Sequence, residues 1–247
     1  MNEHIKELKR HLIYKTTGNL SLIRRIEWQH IIEWIDPKED ERILDVACGT
    51  GELSLKIAEK GSEIHAIDMS ENAINIAKRL AKRENISCEF IVGNAEDLSY
   101  PNEYFDKIIC SSSLEHFTND LKALKEMNRV LKPKGCVVMT VDSLTCPISN
   151  ELKARHKTYS HVVNYYTHKT LKKRFEFSGF EMKKSKYILS SWITSFFFKI
   201  SIILCDKNGI IWEIISLFGY PVCLISEKCF GKGDQGYTLI AEGMKIN

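Results

Sequence analysis

Apolar and polar positions alternate along residues 43–141 as short strand-like runs separated by helical stretches. Short apolar runs of this kind are typical of strands that are buried on both faces. The stretches between them place apolar residues three or four positions apart, as Leu121, Leu124 and Met127 show. The pattern predicts elements over 43–47, 54–60, 63–67, 71–83, 88–92, 105–110, 119–131 and 136–141. Strands and helices therefore follow one another as βαβ units, which favours a parallel sheet.

The pattern differs on either side of this region. An N-terminal helical stretch closes over 30–35, where Asp36-Pro37 ends it. Beyond Val141, residues 142–170 look rich in loops. A helix over 170–178, a strand over 180–188 and a last strand over 236–243 are then predicted. The last two strands are separated by a long segment of large apolar residues, although a short hairpin would be enough to join them.

A glycine-rich turn after the first predicted strand carries the clearest chemical signal. Glycine lets backbone N–H groups approach a ligand, and Gly49 and Gly51 provide this freedom. Dinucleotide-binding folds place a third glycine in this turn, where Ser54 stands here. The first strand also contributes Asp45, four residues before Gly49. A carboxylate at this place suits a cationic ligand better than a pyrophosphate.

The segment 43–54 closely resembles motif I of the class I S-adenosylmethionine-dependent methyltransferases. Further resemblances follow in the family's order. The second strand ends at Asp68, where the family binds a ribose diol, while Ser70 is the better helix cap. The segment 90–98 is similar to the third-strand motif, with Asn94 in place of the acid that accepts from adenine. The segment 105–117 resembles the loop beside the methionine part of the cofactor.

The resemblance implies S-adenosylmethionine as cofactor and a set of residues that bind it. These are Tyr14, Asp45, Ala47, Gly49, Gly51, Asp68, Met69, Asn94, Ala95, Glu96 and Ser111. Tyr14 belongs to the part that resembles the family's N-terminal lid over the cofactor. The alternative is that Tyr14 is an ordinary surface residue.

The same resemblance implies an α/β fold with a Rossmann-like seven-stranded sheet. The sheet is expected to be mostly parallel, with an antiparallel last strand, helices on both faces and an apolar helical insertion before that strand. One domain is expected over 1–247. It comprises a helical lid over 1–36, a cofactor-binding core over 41–141 and an acceptor-side half over 142–247. The insertion in that half lies at about 190–230.

Methyl transfer from a sulfonium is an in-line displacement, so alignment and exclusion of water supply most of the catalysis. Where a base is needed, histidine is the usual candidate. The segment that begins at His161 resembles the family's acceptor-covering loop, which makes His161 the first candidate. His116 is the second, with helix capping as its structural alternative, and Tyr159 and Tyr166 are secondary. Some quinone O-methyltransferases hold a metal at this place, but Ser112 replaces their first glutamate, so no metal is expected.

Composition narrows the function classes. The formal net charge of +3 gives no general argument for nucleic acid, and the motif of amino-group methyltransferases is absent after the fourth strand. Eight cysteines contain no C-x-x-C pair, which argues against zinc and fits reduced thiols in a cytosolic compartment. Residues 1–10 are polar and contain no signal-peptide core. A cytoplasmic protein is therefore expected.

The apolar segment 187–226 raises the question of a membrane. Its longest uncharged runs are 187–198 and 214–226, shorter than the roughly 20 residues that span a bilayer. The upstream residues 151–186 carry ten Lys and Arg against three Glu. Peripheral contact with an anionic membrane through about 187–230 is therefore one prediction. A dimer interface or plain core is the other.

Together these features predict a methyltransferase that acts on a small, lipophilic acceptor, such as a quinone precursor, lipid or isoprenoid. The closest resemblance is to the ubiquinone and menaquinone biosynthesis type. A sugar or other polar metabolite is the alternative acceptor. A catalytically silent scaffold that binds S-adenosylmethionine is the third hypothesis.

Overall fold

The computed structural model describes residues 9, 11–16, 21–204, 209–231 and 233–246, with the side chains of 209–214 left out. Parts of the expected lid, 1–8 and 17–20, and part of the insertion, 205–208, lie outside the described residues. The strands are β1 (Arg42–Val46), β2 (Glu63–Asp68), β3 (Glu89–Val92), β4 (Phe105–Ser111), β5 (Leu131–Asp142), β6 (Phe180–Ile188) and β7 (Thr238–Lys245). The helices are α1 (Leu22–Ile35), α2 (Glu52–Ala58), α3 (Glu71–Glu84), α4 (Asp120–Val130), α5 (Asn150–Tyr159), α6 (His168–Phe177), α7 (Trp192–Leu204) and α8 (Gly209–Phe230). Residues 11–16 are helical too, and Leu114–His116 forms a 3-10 helix.

The strands form one seven-stranded sheet in the order β3-β2-β1-β4-β5-β7-β6. Neighbouring strands from β3 to β5 are parallel, whereas β7 runs antiparallel between β5 and β6. The expected α/β sheet is thus confirmed, including the inserted antiparallel last strand. Strand order reverses between β1 and β4, so a crevice opens at the carboxyl ends of these strands.

The central strands are apolar because helices cover both faces of the sheet. On one face, Leu124 and Met127 of α4 and Phe175 of α6 pack against the sheet. On the other face, Ile26 of α1 and Phe198 of α7 belong to a second buried cluster. Helix α3 begins as predicted, since the Ser70 hydroxyl accepts the Ala73 N–H at 3.2 Å. The Asp68 carboxylate is therefore not needed as the cap.

The segment that the sequence predicted as loop-rich contains a helix, α5. Ser149 caps its N-terminus by accepting the Leu152 N–H. Its only fully buried side chain is His156, so the helix lacks the apolar stripe that sequence patterns detect. Strand β5 begins at Leu131 rather than at 136 as predicted, and its register with β4 shifts near its start.

Helices α7 and α8 form the predicted apolar insertion and contact one another. Glu227 of α8 links the two helices, because its carboxylate accepts hydrogen bonds from the backbone N–H groups of Ser190 and Ser191, just before α7. The inner side of α7 packs on the sheet through Phe198, whose ring stacks on Tyr237 at 4.2 Å. Within the described residues, no helix is long and apolar enough to cross a membrane.

Candidate active site

Three cavities meet at the crevice, around the loop 111–116 that follows β4. The Asp45 cavity, of about 220 Å³, is lined by residues including Arg24, Trp28, Asp45, Gly49 and Ser111. The Asp68 cavity, of about 440 Å³, is lined by residues including Asp68, Met69, Asn94, Ala95 and Glu96. The carboxylate cavity, of about 350 Å³, is lined by residues including Arg24, Glu27, Glu115, Asp142 and Phe198.

These cavities share lining residues, so they adjoin one another. Ala47 lines both the Asp45 cavity and the Asp68 cavity. Arg24 joins the Asp45 cavity to the carboxylate cavity, and His116 joins the latter to the Asp68 cavity. Ligands in neighbouring cavities would therefore contact the same side chains.

The glycine loop follows a left-handed path that opens it toward the Asp45 cavity. Ala47, Gly49 and Gly51 have φ values of 59°, 57° and 81°. At Gly49 a Cβ would meet no atom within 4 Å, so the space beside this residue is open to a ligand. At Gly51 a Cβ would lie 2.7 Å from Phe90, so close packing requires this glycine. The two glycines thus serve different needs.

Asp45 is the most perturbed acid beside the loop. Its side chain is buried, and one oxygen accepts the Ser54 hydroxyl at 2.6 Å. Burial raises the pKa of Asp45 to about 7; the Ser54 hydrogen bond opposes this rise and the Asp68 carboxylate adds to it. A carboxylate under these conditions gains more from a bound cation than an exposed one would.

Asp68 fastens the glycine loop to the end of β2. One carboxylate oxygen accepts the Gly49 N–H and the other accepts the Ser70 N–H, both at 2.8 Å. Each oxygen keeps a lone pair, and the side chain is only partly buried. Asp68 can therefore hold the loop and still accept a hydroxyl from a ligand.

The remaining predicted cofactor residues are placed unequally. Met69, Ala95 and Glu96 line the Asp68 cavity, with Met69 74% exposed. Asn94 lines it too, but its amide oxygen already accepts the Glu96 N–H. Ser111 lies in the Asp45 cavity, where its buried hydroxyl has no hydrogen-bond partner among the described residues.

Tyr14, by contrast, lines none of these three cavities. It is fully buried in the cluster formed by α2, α3 and neighbouring residues. Its hydroxyl donates to Glu59, just past the end of α2 opposite the glycine loop. The helical segment 11–16 thus braces the outer side of α2.

Of the four predicted catalytic residues, His116 and Tyr159 line the carboxylate cavity. His161 and Tyr166 do not. The carbonyl of His161 faces Nδ1 of His116, and its side chain is exposed. The Tyr166 hydroxyl is buried and donates to Asp120 at 2.7 Å, which gives it a structural partner away from the cavity.

Sequence reasoning missed the acidic side chains of the carboxylate cavity. Glu27 and Glu115 are 2% and 0% exposed, and Asp142 is also buried. Burial raises the pKa of each of these carboxyls. Arg24 lies 3.5 Å from Glu27 and is the nearest cation. No local sequence signal points to them, because Glu27 looks like one charge on a helix and Glu115 and Asp142 lie on other elements.

The residues of the first two cavities fit S-adenosylmethionine. Its ammonium and sulfonium are cations, and Asp45 offers a buried carboxylate with an orphaned Ser111 hydroxyl nearby. Its ribose and adenine need acceptors beside an open surface. Asp68 provides an acceptor, and Met69 contributes to the surface beside it. In the described part of the chain, no group of three His, Cys, Asp or Glu residues could hold a metal ion.

Comparison with known proteins identifies the family. The family model for a methyltransferase domain matches residues 37–190. The ubiquinone/menaquinone biosynthesis C-methyltransferase UbiE of Coxiella burnetii is 36% identical over 126 residues, which is 49% of each chain. The chain therefore spans about half the length of this curated relative.

Solved structures agree with this assignment at the level of the fold. The YcgJ protein of Bacillus subtilis has a TM-score of 0.65 at 18% identity, covering 90% of this chain and 98% of that one. The Haemonchus contortus phosphoethanolamine N-methyltransferase 2 also has a TM-score of 0.65, at 17% identity, covering 89% of this chain and 52% of that one. The chain thus belongs to the methyltransferase domain family.

Proposed function

We propose that this enzyme methylates a small lipophilic acceptor, of the kind represented by a quinone precursor, a lipid or an isoprenoid. The relatives named for ubiquinone and menaquinone biosynthesis support this acceptor class. The observation that carries the proposal is the carboxylate cavity. One of its walls consists of Phe198, Ile202 and Leu204 from α7, which offer contacts to an apolar ligand.

The shared lining of these cavities supports an in-line transfer. The cofactor supplies an electrophilic methyl group when it is bound. Arg24 and His116 stand where the carboxylate cavity meets the other two, so an acceptor there would face the methyl group across the junction. Holding both reactants in line, away from water, supplies most of the rate enhancement for such a displacement.

The proposed roles follow these positions. Asp45 and Ser111 would bind the amino-acid end of the cofactor, with Gly49 supplying open backbone. Asp68 would accept from the ribose, and Asn94 with its neighbours Ala95 and Glu96 would border the adenine. His116 and Tyr159 would orient the acceptor, since both line its cavity.

A labelling experiment tests the acceptor class. The protein is incubated with methyl-labelled cofactor and either a lipid extract or a polar extract of the source cell. Label in the lipid fraction supports the proposal, and label only in the polar fraction contradicts it. Cofactor binding with no label in either fraction would indicate the silent scaffold. The Asp45→Asn variant serves as the unlabelled control.

We further propose that the outer sides of α7 and α8 rest on a membrane surface, from which a lipophilic acceptor could be drawn. Helix α7 exposes Trp192 and Phe196, which are 71% and 58% accessible. Helix α8 exposes Phe218, Val222 and Ile225 at helical spacing, with Phe218 73% accessible. Unpartnered apolar stripes on two adjacent helices are characteristic of an interaction surface.

Charge contributes less to this proposal than the sequence suggested. Several basic side chains of 151–186 form ion pairs with nearby acids, namely Lys172, Arg174, Lys183 and Lys184. Flotation with neutral and anionic vesicles tests the contact, with a Phe196→Ser, Phe218→Ser double variant as the comparison. Binding that the double variant loses supports it. If the protein does not float, light scattering decides the alternative. A wild-type dimer that becomes monomeric in the double variant would assign the face to a homodimer instead.

A further inference from the structure

The carboxylate cavity contains buried carboxyl oxygens that accept no hydrogen bond among the described residues. Both oxygens of Glu115 are buried and accept no hydrogen bond among the described residues. One oxygen of Glu27 accepts from Ser112 and Thr238, but the other accepts none. A buried acceptor without a donor costs about 1–3 kcal/mol, and more when it is charged. The fold therefore leaves hydrogen-bonding capacity unused inside this cavity.

The charges of the cavity wall are unbalanced in one direction. The acids Glu27, Glu115 and Asp142 face a single guanidinium, that of Arg24. His156 does not restore the balance, because burial lowers its pKa to about 4 and leaves it neutral at pH 7. The cavity thus presents acceptor oxygens to whatever enters it, and negative charge once the pH exceeds the raised pKa of these carboxyls.

The position of these acids links them to the acceptor. Glu115 directly precedes His116, which lines both this cavity and the Asp68 cavity. Asp142 ends β5 at the same carboxyl edge of the sheet. The opposite wall is apolar, with Phe198 and Ile202. A ligand in this space has one polar end and one apolar end.

We infer that the acceptor binds with a head that offers at least two N–H or O–H donors to Glu115 and Asp142 and carries no negative charge, with its apolar part along α7. This inference rests on the proposed function, because it assumes that the acceptor occupies this cavity. A neutral diol, such as a hydroquinone, and a protonated amine both satisfy it. Above about pH 6, a phosphate or carboxylate head would be repelled by Asp142, whose pKa burial raises to about 6, since like charges in a buried site cost several kcal/mol.

Calorimetry on the full chain saturated with S-adenosylhomocysteine tests this inference without turnover. The probes are hexylresorcinol, hexylammonium and hexyl phosphate, which share a six-carbon chain. We expect the resorcinol, the ammonium or both to bind, and hexyl phosphate to bind at least roughly tenfold more weakly. The probe that binds decides between diol and amine.

Variants identify the residues responsible. Glu115→Gln should weaken the bound donor probe roughly tenfold and leave hexyl phosphate unchanged or tighter. Asp142→Asn provides a second variant if the first does not fold. Glu33→Gln is the matched control, because Glu33 lies on α1 with a side chain 74% exposed and should change neither affinity.

Three outcomes overturn the inference: hexyl phosphate binds as tightly as the donor probes, no probe binds, or both folded variants keep wild-type affinity for the donors. None of these affects the labelling result, which tests the proposed function separately. Conversely, donor binding without methyl transfer to any extract would overturn the proposed function and leave the assigned head chemistry intact.

Discussion

Replacing Asp45 by Asn should stabilise the free protein while weakening cofactor binding. The Asp45 carboxyl has a pKa of about 7 in the fold against an ordinary value of 3.8. A difference of roughly 3 pH units, at about 1.4 kcal/mol each, corresponds to about 4 kcal/mol. This is an upper value, because local opening would let water reach the carboxylate. Asn retains an oxygen that can accept the Ser54 hydroxyl.

The stabilising effect of Asp45→Asn should depend on pH. A raised pKa favours the folded state fully below pH 3.8, and this contribution is lost as pH rises to about 7. The Asp45→Asn variant has no titratable group at this position. Its free energy of unfolding should therefore match that of wild type near pH 4 and exceed it by up to about 4 kcal/mol at pH 8.

Urea denaturation between pH 4 and 8 measures this difference. Asp234→Asn is the control, because Asp234 is exposed and loses the same formal charge. Calorimetry with S-adenosylmethionine should show binding to the Asp45→Asn variant weakened roughly 30-fold or more, as for other truncated buried charge pairs. The reasoning is refuted if the variant is less stable than wild type at pH 8 or binds the cofactor as tightly.

Three further predictions concern neighbouring positions. Gly51→Ala should lower the free energy of unfolding by about 2–4 kcal/mol, because its φ of 81° and the 2.7 Å approach of Phe90 both oppose a methyl group; a melting shift below 2 °C would contradict this. Tyr166→Phe should cost about 1–2 kcal/mol by removing the donor to Asp120, with kcat unchanged; a large fall in kcat at full folding would restore Tyr166 as a catalytic residue. The pKa of His156 is lowered to about 4 by burial, so the folded state loses stability as pH falls from about 6.5 toward 4. In denaturation curves, His156→Gln should reduce this loss of stability at acid pH. An unchanged loss would assign it to other groups.

The sheet could be predicted from sequence because its signals are local. Each parallel strand is a short apolar run, and each ends at a residue with its own chemistry, such as Asp45 or Asp68. Adjacent parallel strands bring such ends to one edge, so position along the chain is enough to place them together. The capping of α3 by Ser70 was predictable for the same reason, since it spans only three residues.

The carboxylate cavity could not be predicted because its contacts are long-range. Glu27 accepts from Ser112, 85 positions away, and from Thr238, 211 positions away. In sequence Glu27 looks like one charge on the solvated side of a helix. Helix α5 escaped detection for a related reason, since it buries His156 rather than an apolar stripe.

One physical feature connects the two halves of the site. The crevice gathers carboxylates whose burial raises their pKa: Asp45 on one side of the Arg24 guanidinium, Glu27 and Glu115 on the other. Arg24 lines both cavities and can donate to the Ser111 carbonyl between them, at 3.5 Å. A cation bound near Asp45 and a donor bound near Glu115 would each supply a partner to a buried acid.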